Sequence, residues 1–190
     1  RPAAGFVSIA GGKYTTYRVM GKDVVDRAVI ELRRLTQESV TEKLPLVGAD
    51  GYFALEQQKE RIATESGLEV ETVTHLLNRY GSLISEILEM IAEQPKLAKK
   101  LAADLPYIKA EIVYAASHEG ARTVDDVISR RTRLAFEAQE HGVHLADEVA
   151  SLIAPVLGWS AKDKKQSVAD YEALVNRELE ALDQLLEVNS

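Results

Sequence analysis

Residues 111–134 read EIVYAASHEGARTVDDVISRRTRL, and this stretch decides the fold class. With Ile108, the apolar positions Ile112, Val113 and Ala116 recur at helical rather than alternating spacing. Pro106 opens the run and Gly120 closes it, which is the punctuation of one helix. Thr123 then stands three residues before Asp126, a weak capping box. Val124, Val127, Ile128, Leu134 and Phe136 carry a second apolar stripe toward Gly142. Helices joined by short glycine-marked turns favour antiparallel neighbours in a bundle.

The same pattern extends in both directions. Met20, Val24, Val25, Ala28, Val29, Leu32 and Leu35 form a stripe on a helix that Thr15 or Thr16 can cap. Pro45, Gly48 and Gly51 mark residues 36–51 as a connecting loop. A helix is expected over Phe53–Glu65, stopped by Gly67. Another carries Leu68, Val73, Leu76, Leu77 and Tyr80, stopped by Gly81. Ser82 is placed to cap Leu83, Ile84, Ile87, Leu88 and Ile91, and a short helix is expected over Leu97–Ala103. On the C-terminal side, Leu145, Val149, Leu152, Ile153, Val156 and Leu157 form a helix with Pro155 late in it and Gly158 as its stop. Ser160 opens the last helix, with Val168, Tyr171, Leu174, Val175, Leu182, Leu185 and Leu186 at helical spacing. The expected fold is mainly α, an irregular bundle of about eight helices without a fixed-period repeat. One segment departs from it. Gly5-Phe6-Val7-Ser8-Ile9-Ala10 reads as a short N-terminal β-strand ending at Gly11-Gly12. A strand's backbone donors and acceptors need partners, so this is a strand without a sheet.

Composition narrows the function classes. The chain has 190 residues, 46% hydrophobic and 28% charged, an ordinary globular balance. A net charge of -7 argues against a nucleic-acid binder, which needs a basic face. Leu68–Gly81 could imitate a recognition helix, but the face expected to be solvated carries Glu69, Glu71, Asn78 and Arg79, a poor match to phosphate. With no cysteine, a disulfide scaffold, a thiolate zinc site and a catalytic thiol are excluded. No metal site is expected: His118-Glu119 has Arg122 where H-E-x-x-H needs its second histidine, and His141 and His144 flank Gly142-Val143 without forming that motif. A G-x-S-x-G elbow is absent, and Ser8 reads as packing. No stretch approaches the ~20 apolar residues of a membrane span, and no signal peptide is expected after Arg1-Pro2-Ala3-Ala4.

Two clusters carry chemistry. In Ile9-Ala10-Gly11-Gly12-Lys13-Tyr14-Thr15-Thr16-Tyr17-Arg18, a glycine pair precedes a threonine-capped helix. Glycines admit close backbone approach, and a helix N-terminus favours negative charge. Lys13 adds a full positive charge there. The plainer reading is a tight turn with an ordinary cap. The second cluster is His118, Glu119, Arg122, Asp125, Asp126, Arg130, Arg131 and Arg133. Asp126 and Arg130, four apart on one helix face, can pair. The cluster reads as an ion-pair network locking two helices or an interface with another domain, and guanidinium groups can also grip phosphate.

Gly-Gly-Lys-Tyr-Thr-Thr-Tyr-Arg at residues 11–18 resembles the last flavin-contacting segment of FAD-dependent, or aerobic, glycerol-3-phosphate dehydrogenases. TEKLPLVGADGY at residues 41–52 is similar to the linker after that family's flavin domain, and Tyr80-Gly81-Ser82 to one of its turns. Residues 111–134 resemble the signature of its helical C-terminal domain, so the likeness spans most of residues 5–160. The resemblance implies three parts. Residues 1–20 are the end of the FAD-binding domain, 21–52 a helix and linker, and 53–190 the helical C-terminal domain. It implies FAD as cofactor, with Gly11, Gly12, Lys13, Tyr14, Thr15 and Thr16 beside the isoalloxazine ring and Lys13 also near the substrate. Hydride would pass from glycerol 3-phosphate to the flavin, giving dihydroxyacetone phosphate, with quinone as the next acceptor in respiratory members.

The family's G-x-G-x-x-G fingerprint is absent here, and its usual arginine and histidine lie upstream, so no catalytic residue is expected in this chain. The sequence begins at Arg1, not at a methionine. The expectation is a C-terminal piece whose partners are N-terminal FAD and substrate domains of the same polypeptide. It is cytoplasmic, peripheral at the membrane face in the intact enzyme, and neither retains FAD nor oxidises glycerol 3-phosphate alone. Open at this point are the electron acceptor (quinone or oxygen), homo-oligomerisation, and the alternative of a free-standing helical interaction module or an anion-binding regulatory module built on Arg122–Arg133.

Overall fold

The computed structural model describes residues 5–32 and 36–188, and among them the expectation of a mainly helical chain holds. The chain divides after Asp50 into two compact units. The first contains α1 (Tyr17–Leu32), entered through a 3-10 turn at Tyr14–Thr16, and a second 3-10 turn at Thr41–Lys43. No residue of α1 is buried. Leu35 and Arg1–Ala4 lie outside the described residues.

The second unit contains α2 (Tyr52–Glu56), α3 (Lys59–Ser66), α4 (Val70–Tyr80), α5 (Ile84–Glu93), α6 (Lys109–Ser117), α7 (Leu134–Glu137), α8 (Ala146–Leu157) and α9 (Ala161–Val188). Its architecture follows from α6, whose sequence KAEIVYAAS is apolar on nearly every side. Such a helix has no face to offer water and must sit inside. One side of it, with Ile108, Ala110 and Tyr114, packs into a cluster with Val73, Leu76, Leu77, Ile84 and Ile87 of α4 and α5. The other side, with Ile112, Ala115 and Ala116, packs into a cluster with Val149, Ala150 and Ile153 of α8 and Val168, Tyr171 and Val175 of α9. Leu152 touches both clusters. The caps are local. Ser160 and Asp163 bond reciprocally, Ser160 N–H to Asp163 at 2.9 Å and Asp163 N–H to Ser160 Oγ at 3.2 Å, which starts α9 as a capping box. Gly158, at φ +65, ends α8 in the left-handed conformation that glycine tolerates. The side chains of Leu182, Leu185 and Leu186 are outside the described set.

Several expected elements take other forms. The strand at Gly5–Ala10 does not form: Phe6–Lys13 has no regular structure, and the described residues contain no strand. Their one pairing is an isolated antiparallel bridge, Lys100 with Ile108. The segment lacks a partner for its ladder, and a ladder is what makes a strand. Thr16 does not cap α1 by accepting a bond. Its hydroxyl donates to the Lys13 carbonyl at 2.9 Å, because the chain enters through a 3-10 turn. Ser82 likewise sits inside a 3-10 turn, Gly81–Leu83, instead of capping α5. Phe53–Glu65 splits into α2 and α3 around Gln57 and Gln58. In place of a helix over Leu97–Ala103 there is a short 3-10 turn at Pro95–Ala98. Leu97, Leu101 and Leu105 are all buried at a spacing of four, which imitates a helix without being one. The stripe that starts at Val124 stops early. Asp126–Arg131 winds as a π-helix, and the Thr132 N–H and hydroxyl both donate to the Val127 carbonyl, at 2.9 and 2.7 Å. Phe136, expected in that stripe, is 79% exposed.

Candidate functional site

The Gly-Gly-Lys turn lies in the first unit. Gly11 has φ +78, and nothing stands within 4 Å of where its Cβ would be, so its backbone is open to close approach. Gly12 faces the Met20 side chain, whose Cε would be 3.3 Å from an added Cβ. Residues Gly11–Thr16 are all exposed. The 3-10 turn ahead of α1 supplies acceptors for the Thr16 and Tyr17 N–H groups, the Lys13 and Tyr14 carbonyls. The N–H groups left open therefore lie earlier in the turn, and no acidic residue stands in the first turn of either element. Tyr14 stacks on Tyr17, ring centres 6.0 Å apart, and the Arg18 guanidinium lies over the Tyr17 ring at 5.5 Å. Arg18 Nη1 donates to the Thr41 carbonyl, joining the helix start to the second 3-10 turn. The result is an accessible, positively biased cradle of backbone N–H groups, hydroxyls and an ammonium.

The second site is in the larger unit, and sequence reasoning missed its centre. Glu111, on α6, has no exposure at all. Its Oε2 accepts the Ile108 N–H at 2.8 Å. Its Oε1 accepts the Tyr80 hydroxyl at 3.2 Å and lies 3.0 Å from His75 Nε2. Arg79 Nε makes an ionic contact with the same oxygen at 3.2 Å. Arg79 is therefore not on a solvated face of α4; its guanidinium is held against the Tyr80 and Tyr107 rings at 5.4 and 5.3 Å. Burial acts to lower its pKa, but Tyr80 and Glu111 outweigh that and raise it. Burial, reinforced by the Glu111 charge, pushes the Tyr80 hydroxyl far up, so it stays a donor. Two signals pointed to this centre: a carboxylate inside the apolar run Ile108–Ala116, and an arginine next to the buried Tyr80.

The predicted cluster at residues 118–133 is divided by the π-helix into two parts. On the exposed side, Arg130 pairs with Asp125 and with Asp126 Oδ1, the latter at 3.1 Å. Asp126 Oδ2 accepts the N–H groups of Arg122 and Thr123 at 3.0 and 3.1 Å, and Thr123 Oγ1 accepts the Asp126 N–H. Burial disfavours the Asp126 carboxylate, but the Arg122 N–H, the Thr123 hydroxyl and Arg130 together hold it below the usual range. On the inner side, Arg131 Nε donates to the Glu119 carbonyl at 2.7 Å, and the Arg131 carbonyl accepts from Arg79 Nη2. Arg79 thus connects this part to Glu111. Glu119 Oε2 is buried without a hydrogen-bond partner, and burial raises its pKa against the pull of Arg79 and Arg131. His118 is exposed, stacks on Tyr114 at 4.4 Å and shares a 2.7 Å contact with the Ser117 hydroxyl. Among the described residues no group of three metal-ligating side chains is assembled.

Residues 39–164 match the family model of the C-terminal domain of alpha-glycerophosphate oxidase. The chain belongs to this family. Its matched span contains Glu111, Arg79 and the whole of the 118–133 cluster, so the buried centre is part of the C-terminal domain of the alpha-glycerophosphate oxidase family. The Gly-Gly-Lys turn precedes that span. The chain is also 49% identical, over 178 residues, to glycerol-3-phosphate dehydrogenase 2 of Mycobacterium tuberculosis, covering 94% of this chain and 30% of that protein. It is 48% identical to glycerol-3-phosphate dehydrogenase of Mycobacterium leprae over 94% of this chain and 30% of that one. A mitochondrial glycerol-3-phosphate dehydrogenase of Arabidopsis thaliana is 33% identical over 86% of this chain and 28% of its own length. The chain thus spans about 30% of the length of these relatives.

Proposed function

We propose that this chain is the C-terminal part of an FAD-dependent glycerol-3-phosphate dehydrogenase that oxidises glycerol 3-phosphate to dihydroxyacetone phosphate. The observation that carries the reading is 49% identity across 94% of the chain to a protein named glycerol-3-phosphate dehydrogenase 2. The donor set at Gly11–Thr16 supports it, since backbone N–H groups, Lys13 and two threonine hydroxyls suit the end of a flavin that gains negative charge on reduction. FAD, when bound, supplies the hydride acceptor. The chain's own residues bind and orient. Gly11 lets the backbone close on the ring, and Lys13 places a cation beside it and near the substrate. FAD and substrate domains elsewhere in the same polypeptide complete the pocket, and quinone takes the electrons onward. Among the described residues no helix is long and apolar enough to cross a membrane, and peripheral placement at the membrane face is part of the same proposal.

The test compares the 190-residue chain with the full natural polypeptide. The full polypeptide is expected to purify with flavin absorbance and to reduce an artificial acceptor when given glycerol 3-phosphate. Lys13→Met in it is expected to cut kcat by about tenfold or more, the scale of losing one preorganised charge. A full polypeptide without flavin overturns the reading. Stoichiometric flavin on the 190-residue chain alone overturns the division of the pocket between its parts.

A further inference from the structure

We propose that Arg18 is a positioning residue for the Gly11–Thr16 turn, a role that rests on the flavin reading above. The first unit has almost no core. No residue of α1 is buried, so apolar packing does not fix α1 against residues 36–43. The polar contacts described within the unit are nearly all local. Thr16 reaches back to Lys13, Lys22 pairs with Asp26, Arg27 pairs with Glu31, and the Thr41 N–H meets Ser39. Against these, the Arg18 bond to the Thr41 carbonyl joins residues 23 apart. Thr41 lies within the residues 39–164 matched to the family model, so this bond ties the flavin-facing turn to the start of the helical domain's sequence.

The geometry explains why an arginine stands here. One planar guanidinium stacks on the Tyr17 ring at 5.5 Å while an edge donates to Thr41. Tyr17 stacks in turn on Tyr14, which follows Lys13 directly. The contacts therefore run from Thr41 through Arg18 and Tyr17 to Tyr14, one residue from the cation. A helix whose preceding turn must hold an ammonium at a ring cannot rotate freely about its axis. Small misplacements at such sites cost about a hundredfold in rate at the extreme. The Arg18 clamp sets that rotation in a unit that has no buried side chains on α1 to do so.

The clamp has a direct readout in the 190-residue chain, without any cofactor. Arg18→Ala is expected to speed amide hydrogen exchange across residues 39–44 while exchange in residues 51–190 stays as it was. Unchanged exchange across 39–44 overturns the clamp. In the full polypeptide, Arg18→Ala is expected to shift the bound-flavin absorbance spectrum and lower kcat/KM for glycerol 3-phosphate about tenfold. Arg18→Lys, which keeps the charge and one donor but cannot stack flat, is expected to recover part of that loss. A normal flavin spectrum and kcat/KM in Arg18→Ala, with only the melting temperature lowered, assigns Arg18 a purely structural role and overturns the proposal. If the unsubstituted polypeptide holds no flavin, the functional reading fails and this role fails with it, while the exchange experiment still decides whether the clamp exists.

Discussion

Glu111 is the one charged side chain among the fully buried residues described, and its neighbours offset the cost of putting it there. Moving a carboxylate out of water costs several kcal/mol unless donors replace the solvent. Here the Ile108 N–H and the Tyr80 hydroxyl donate, His75 Nε2 lies within hydrogen-bond distance, and the Arg79 guanidinium supplies an opposite charge at 3.2 Å. Glu111→Ala strands the Arg79 guanidinium and is expected to cost about 3–5 kcal/mol in urea denaturation. Two nearby carboxylates respond to pH in opposite senses. Glu119 has its pKa raised by burial above the usual 4.5, so the folded state favours its neutral form. Its contribution to stability is present in acid and is lost as pH rises through the raised value. Glu119→Gln is therefore expected to be as stable as the parent at pH 4 and more stable at pH 7. Asp126 has its pKa held below 3.8. Its contribution is present above that value and is lost as pH falls through the lower folded one. Asp126→Asn keeps an acceptor for the Arg122 and Thr123 N–H groups but removes the charge facing Arg130, so it should lose up to about 1 kcal/mol at pH 7 and less at pH 2. Denaturation curves at these pH values check both signs.

Periodicity made the long helices legible. Those with strong stripes and clear stops, α4, α5 and α8, lie where glycine, proline and apolar spacing put them, and α6 lies between Pro106 and Gly120 as its punctuation requires. Spacing failed where tertiary burial imitated a helix, as at Leu97, Leu101 and Leu105. It also failed at the π-helix, because the ring closure depends on the Thr132 N–H and hydroxyl finding the Val127 carbonyl, which no pattern of apolar residues encodes. The candidate sites were legible unequally. Gly11–Thr16 stood out as a candidate because a glycine pair and a lysine precede a helix start, although an ordinary turn and cap uses the same residues. The Glu111 centre did not, because three of its four partners, His75, Arg79 and Tyr80, come from α4, a separate segment more than thirty residues upstream in the chain. The turn before α8 was not foreseen either. Glu140, His141 and Gly142 all have positive φ, at 49, 53 and 72 degrees, and only the last is a glycine. A non-glycine residue there costs about 1–2 kcal/mol. Glu140→Gly relieves that strain but frees the unfolded chain, so a net gain of about 0.5 kcal/mol is expected. A thermal melt that shows Glu140→Gly destabilised would mean that the Glu140 side chain contributes more than its backbone costs.

Every buried hydrophobic side chain described falls between Ile62 and Val175, inside the second unit. Two clusters on either side of α6 give that unit a complete core. The first unit is built otherwise. Val19, Val25, Ile30 and Leu32 of α1 are each more than half exposed, and a 16-residue helix in water is marginal without a packed face. Stability should therefore reside almost wholly in residues 51–190. That segment, expressed alone, is expected to keep its helical circular dichroism and unfold cooperatively, within about 1 kcal/mol of the 190-residue chain. In the longer chain, amides of Tyr17–Leu32 are expected to exchange with solvent far faster than those of Lys109–Ser117, since local opening costs least where few apolar contacts must be broken. A segment 51–190 that loses its cooperative transition, or an α1 protected as strongly as α6, would show that the first unit contributes to a shared core. Fast exchange in α1 together with an intact 51–190 core is what the exposed apolar residues of α1 require.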